Sequence, residues 1–99
     1  MGIEATARNK DIPAQTLEYA KGKAAAIETE FEKTSQVHVV LDSERHLFKA
    51  QFTATVRGES FTASAEDSAN FVKAIDDAWD RLFAQIRKRQ NIVGDNRKA

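Results

Sequence analysis

Between residues 36 and 90 the hydrophobic period of this chain changes from two to between three and four, and that change limits the folds open to it. Phe48, Ala50, Phe52, Ala54 and Val56 alternate with Lys49, Gln51, Thr53, Thr55 and Arg57, the pattern of a strand with one buried and one wet face. Gly58 supplies a turn, and Phe61, Ala63 and Ala65 carry the apolar face into a second strand, so the two form a hairpin. Upstream, Val37, Val39 and Leu41 alternate with His38, Val40 and Asp42, with a short link through Ser43, Glu44 and Arg45. Downstream, Phe71, Ile75, Ala78, Leu82 and Ile86 recur at helical spacing, widened by Val72, Trp79 and Phe83, with Asp67 or Ser68 as the expected cap. Three strands therefore feed one long helix whose wide apolar arc meets both a sheet and a neighbouring helix.

The N-terminal third completes the pattern. Ile3, Ala5 and Ala7 alternate with Glu4, Thr6 and Arg8 as a short first strand, and residues 9–12 make a turn. Pro13 sits where a helix can start, because its missing N–H would be unpaired in the first turn. Leu17, Ala20, Ala24, Ile27 and Phe31 form one stripe of a helix expected from about Pro13 to Lys33, with small residues mid-stripe that permit close approach to its neighbours. The expected fold is α+β with element order β-α-β-β-β-α: a four-stranded, mostly antiparallel sheet with two helices on one face. Residues 1–93 are read as one domain and residues 94–99 as a polar, disordered tail.

Ninety-nine residues with 41% hydrophobic content supply one modest core. Without cysteine there is neither a disulfide nor a thiolate metal site, and a cytoplasmic setting is the default expectation. No apolar run reaches membrane-spanning length, and the first residues lack the pattern of a secretory leader. Thr6 meets the letter of an N-myristoylation motif beginning at Gly2, but it belongs to an alternating strand, which is the preferred reading.

Catalytic chemistry has little to work with. His38 and His46 sit in no nucleophile or metal motif, and His38 alternates onto the polar sheet face. Asp76, Asp77 and Asp80 lie on a helix, without the loop and glycine of a calcium site, and the scattered glycines form no phosphate loop. Neither enzyme activity nor a cofactor or metal is expected. Charge is more telling. The formal net charge is zero, yet residues 81–99 carry Arg81, Arg87, Lys88, Arg89, Arg97 and Lys98 against Asp95 alone, a balance of +5 that leaves −5 for residues 1–80. Cations at a helix C-terminus also suit the macrodipole, which is the ordinary explanation for them. Such polarity also orients a protein on a polyanion. Arg81 and Lys88 fall on one flank of the last helix, Arg87 on the other, and Arg89 ends it; Lys21 and Lys23 flank the first helix's stripe on opposite sides, so at least one borders the gap between helices. The polar sheet face, with Thr53, Thr55, Thr62 and Ser64, has no aromatic platform, so phosphate and shape recognition by the helix-bearing face is expected rather than base stacking.

The segments VHVVLDSERH (Val37 to His46), FTASAED (Phe61 to Asp67) and KAIDDAWDRLFAQIRKR (Lys73 to Arg89), with Thr6-Ala7-Arg8-Asn9 at the first strand, resemble the ribosome hibernation-promoting factors. That family is also called ribosome-associated inhibitors and sigma-54 modulation proteins. The resemblance covers residues 3 to 90 and implies a double-stranded-RNA-binding-like domain of the family's short form. It further implies a domain that settles on small-subunit ribosomal RNA in the channel for messenger and transfer RNA and blocks translation, and a monomer when off the ribosome. Matching residues implied as RNA contacts are Arg8, Asn9, Lys23, Arg45, His46, Arg81, Lys88 and Arg89; the helix flanks add Lys21 and Arg87. Asn70-Phe71-Val72 departs from the family's Asp-Met-Tyr, Ala84 from an Arg, and Pro13 from a capping Thr. A competing expectation is a protein-interaction module of the same fold that docks the face bearing Trp79 and Phe83. The ribosomal reading requires the cations to gather into one continuous electropositive strip.

Overall fold

The computed structural model describes residues 2–8 and 12–98, with side chains described as far as Arg89. The elements are β1 (Gly2–Ala7), α1 (Ala14–Glu30), β2 (Thr34–Glu44), β3 (Leu47–Val56), β4 (Glu59–Asp67) and α2 (Phe71–Lys98). They form a four-stranded mixed sheet in the order β1-β2-β3-β4. β1 runs parallel to β2, with Ile3 opposite Val37 and Ala7 opposite Leu41, while β2–β3 and β3–β4 are antiparallel. The α+β order expected from the alternation is the order observed.

The alternating residues fall on the faces expected of them. Val37, Val39, Leu41, Ala50, Phe52, Ala54, Val56, Ala63 and Ala65 are buried beneath the helices. From above, α1 contributes Ala20, Ala24 and Ile27, and α2 contributes Phe71, Ala74, Ile75, Ala78, Leu82 and Ile86. Truncating a filled centre such as Phe52 to alanine costs about 3–5 kcal/mol, because the cavity is only partly closed by relaxation. The Ala20–Ala24 face of α1 lets that helix lie close to β1 and β2.

Boundaries depart from expectation where tertiary contacts decide them. Thr34, three residues before the strand pattern begins at Val37, is the buried first residue of β2; its hydroxyl donates to the Phe31 carbonyl at 2.7 Å and closes the end of α1. The strand then continues to Glu44, so the connection to β3 is only Arg45-His46. Both residues have positive φ, 49° and 69°, as do Arg57 and Gly58 (56° and 79°) in the β3–β4 turn. These are two-residue hairpin loops of the primed type, whose twist matches that of the strands. The cap of α2 is Asn70, whose Oδ1 accepts the Lys73 N–H at 2.8 Å. Asp67 instead ties the preceding turn, accepting the N–H groups of Ala69 (2.8 Å) and Asn70 (3.0 Å). Val72, expected to widen the inner arc, is exposed. The backbone of α2 continues to Lys98, through the stretch read from sequence as a tail; once a helix is nucleated each further residue adds little cost.

Two stability predictions follow from this geometry. The backbone hydrogen bonds to Asp67 hold its carboxyl below the usual carboxylate range. Its contribution is therefore present above the unfolded-state value and lost as pH falls through the lowered folded-state value. Thermal unfolding from about pH 7 to about pH 3 should show a shallower acid-side loss for Asp67→Asn than for the parent chain; equal slopes refute the assignment. Replacing Arg45-His46 by Asn-Gly relieves two side-chain-bearing residues of a left-handed backbone and should stabilise the fold by about 1–2 kcal/mol in denaturant unfolding.

Candidate nucleic-acid interface

The groove between α1 and α2 is built from aromatic side chains that carry cations on their faces. Trp79 packs on Phe83 with ring centroids 4.7 Å apart, and Phe83 packs on Phe31 of the α1 C-terminus at 5.1 Å. The Trp79 indole N–H donates to the Lys23 carbonyl at 2.8 Å, tying the two helices together. Lys23 then returns its ammonium over the same indole, 4.2 Å from the ring centroid, and pairs with Asp76 at 3.5 Å. One turn below Phe83, Arg87 lies 5.7 Å from that ring and pairs with Glu30 of α1 at 3.8 Å. Each cation is thus steered by a ring and restrained by one carboxylate. A cation over an exposed ring is worth about 0.5–1 kcal/mol and an exposed ion pair about 0–1 kcal/mol, so an incoming phosphate can displace the carboxylate while the ring keeps the cation in place.

Sequence reasoning passed over Tyr19. Its phenol donates to Asp76 at 2.5 Å, and that bond, partial burial and the Asp76 charge raise its pKa to about 12. Tyr19 therefore stays a donor, so Asp76 has a partner besides Lys23. Lys21, on the opposite flank of α1, pairs within its own helix with Glu18 at 3.4 Å and takes no part in the groove.

The other flank of α2 faces β4. Arg81 Nη1 donates to the Ser64 carbonyl at 2.7 Å, Gln85 Nε2 to the Thr62 carbonyl at 3.1 Å, and Arg89 Nε to Glu59 Oε1 at 3.1 Å. Arg81 and Arg89 are thereby committed to the sheet edge. Lys88, exposed at the same end of the helix, has no ion pair among the described residues.

Arg45 and His46 form the tip of the β2–β3 hairpin, and Arg8 follows β1 beside it, its N–H donating to the Leu41 carbonyl at 2.9 Å. Arg8 opens onto the helix-free sheet face, where it borders a polar concavity with Asp42, Lys49, Gln51, Ser64, Glu66 and Arg81. Lys49 is engaged there by Glu44 (3.2 Å) and Glu66 (3.8 Å), which raise its pKa. Asn9 lies outside the described residues. His38 is on the same open face, 3.2 Å from the Thr6 hydroxyl.

The cations do not form the single strip expected of them. Arg8, Arg45 and His46 stand at the end of the sheet where β2 turns into β3, whereas Arg87 and Lys88 stand at the opposite end, because α2 runs antiparallel to β4. From Phe71 to Arg89 the helix advances about 27 Å, in a molecule 50 Å long but only 25 and 16 Å in its other dimensions. Lys23 lies between the two ends. The far end also gains Lys33 and Arg57, which sequence reasoning missed: the Arg57 N–H donates to the Lys33 carbonyl at 3.0 Å, so two separate turns are pinned together beside the C-terminal part of α2. Neither has an ion pair among the described residues, and their only sequence signal is their position in turns.

Among the described residues no helix is long and apolar enough to cross a membrane, and no group of His, Asp and Glu is arranged to hold a metal. Comparison with known proteins places this geometry. The chain is 32% identical over 91 residues to the ribosome hibernation promoting factor of Escherichia coli K12, covering 92% of this chain and 95% of that one. It is 26% identical over 90 residues to the protein of the same name from Pseudomonas putida, covering 91% and 87%. Among solved structures, the N-terminal domain of Thermus thermophilus Protein Y superposes with a TM-score of 0.74 at 26% identity, covering 89% of this chain and 98% of that one. A ribosomal subunit interface protein from Coxiella burnetii superposes at 0.77 with 19% identity, covering 92% and 99%, and shows the same fold. Residues 3–92 match the family model described as sigma 54 modulation protein / S30EA ribosomal protein, and the chain belongs to that family.

Proposed function

We propose that this chain is a ribosome hibernation factor that binds small-subunit ribosomal RNA in the channel for messenger and transfer RNA and blocks translation by occupancy, without turnover. The observation that carries this reading is the near end-to-end relation to the E. coli ribosome hibernation promoting factor. The geometry supplies a way to do it. Lys23 and Arg87 line one groove on aromatic supports, Lys88, Lys33 and Arg57 stand at the same end of the molecule as Arg87, and Arg8, Arg45 and His46 form a second contact at the other end. The continuous strip that the sequence reading required is absent, and the ribosomal reading here rests on two separated contacts instead; these suit a folded polyanion better than a single duplex, since each meets a different phosphate run. Affinity then comes from counterion release and falls with salt. Residues 1–93 are the binding unit in this reading, with the cytoplasm as its location.

The protein-docking alternative loses its surface. Trp79 and Phe83 are spent on α1, and the exposed large apolar side chains among the described residues are Tyr19 and Val72.

Cosedimentation with small ribosomal subunits across a salt series tests the reading. The parent chain should pellet at low salt and be released as salt rises, and each of Lys23→Glu and Arg87→Glu should weaken binding and lower the log–log salt slope by about one. Failure of the parent chain to pellet at low salt overturns the proposal. Asn-Gly at positions 45 and 46 separates stability from binding: that variant should melt higher yet be released at lower salt, whereas a purely structural turn would leave release unchanged.

A further inference from the structure

Sheet edges present unpaired backbone groups, and β4 is an edge strand nine residues long with no proline or lysine to discourage pairing. In an antiparallel ladder the N–H and C=O of one residue point the same way. The Thr62 and Ser64 carbonyls are met from outside by Gln85 and Arg81, so both residues turn their backbone groups outward. Arg81, Gln85 and Arg89 occur at intervals of four on one flank of α2, and their partners Ser64, Thr62 and Glu59 descend β4 in matching order. All three α2 side chains are exposed, yet each turns back to bond β4.

We propose that the outer edge of β4 is a pairing site for a second copy of this chain, and that Arg81, Gln85 and Arg89 form a latch that keeps it shut. The strand is self-complementary about Ala63. An antiparallel partner centred there sets Thr62 against Ser64 and Ser60 against Glu66 on the open face, and Phe61 against Ala65 on the inner face. Like charges meet only at the extreme ends, where Glu59 faces Asp67 and strands fray. Thr62 and Ser64, the residues the latch covers, are the pair that would exchange both N–H···O bonds across the dimer axis. The latch and the second copy therefore compete for the same carbonyls. This inference does not depend on ribosome binding, and it assigns Arg81 and Arg89 to the edge rather than to RNA.

Sedimentation velocity at increasing protein concentration tests it, with Arg81→Ala/Gln85→Ala/Arg89→Ala compared with the parent chain. The triple variant should dimerise with a dissociation constant at least about tenfold lower than the parent chain's, since the two bonds that occupy the edge carbonyls are removed together with the Arg89–Glu59 pair that flanks them. Adding Ser64→Pro should restore the monomer, because proline deletes the outward N–H that a partner strand needs. If the triple variant lacks a cooperative melt, Arg81→Ala/Gln85→Ala, which keeps the Arg89–Glu59 pair, carries the same comparison. Equal self-association of variant and parent, or dimers that persist with Ser64→Pro, overturns the proposal.

Discussion

The seating of α2 on the inner face of β3 and β4 is the contact from which the functional geometry follows. The centre of that face is lined largely by alanine, with Ala50, Ala54, Ala63 and Ala65 buried around Phe52, while Phe48 and Phe61 pack partly buried towards the ends. Small residues let the helix backbone come close, and close packing fixes its rotation about its own axis, because interiors at crystal-like density do not tolerate a rotated set of side chains. With Ile75, Ala78, Leu82 and Ile86 pointing down, Trp79, Phe83 and Arg87 are turned to α1 and Arg81, Gln85 and Arg89 to β4. One packing decision assigns one flank of the helix to the groove and the other to the edge.

Legibility from sequence follows the range of the interaction that decides each feature. Period-two alternation over Phe48–Val56 and the helical stripe from Phe71 to Ile86 are local patterns repeated many times, and both the elements and their faces were readable. Single contacts were not. Asp67 and Ser68 each resemble a cap as well as Asn70 does, and the choice falls to Asn70 because the chain needs a turn, tied by Asp67, to leave β4 and reach the helix. Nothing in the letters of Arg45-His46 announces a primed turn, since asparagine and glycine usually occupy it; strand pairing from Glu44 to Leu47 imposes it. Such strain in side-chain-bearing residues is retained where the surroundings enforce it, and it tends to collect where a side chain must be presented.

The candidate cations show the same division. A helical wheel separates Arg81 from Arg87 but cannot say which flank meets a strand edge and which meets an aromatic ring. Arg81 and Arg89 were legible as cations and illegible as edge ligands, because their acceptors lie 17 and 30 residues away. Lys33 and Arg57 are joined only through the backbone bond between two turns. Charge counts survive folding, whereas charge geometry is made by it.

Zero net charge is compatible with the proposed polyanion partner because several of the molecule's cations are already paired. Lys23 with Asp76, Arg87 with Glu30 and Lys49 with Glu44 and Glu66 are neutralised within the molecule. These pairs are solvent-exposed to differing degrees and individually weak, so they lower the long-range field more than they oppose a phosphate at contact distance. Long-range attraction to nucleic acid at large is therefore damped, and a site able to displace several carboxylates at once is favoured over one that displaces a single carboxylate. On the proposed reading, discrimination of this kind rests on geometry: a polyanion that matches the span between the hairpin tip and the far end of α2 recovers the energy of the pairs it breaks.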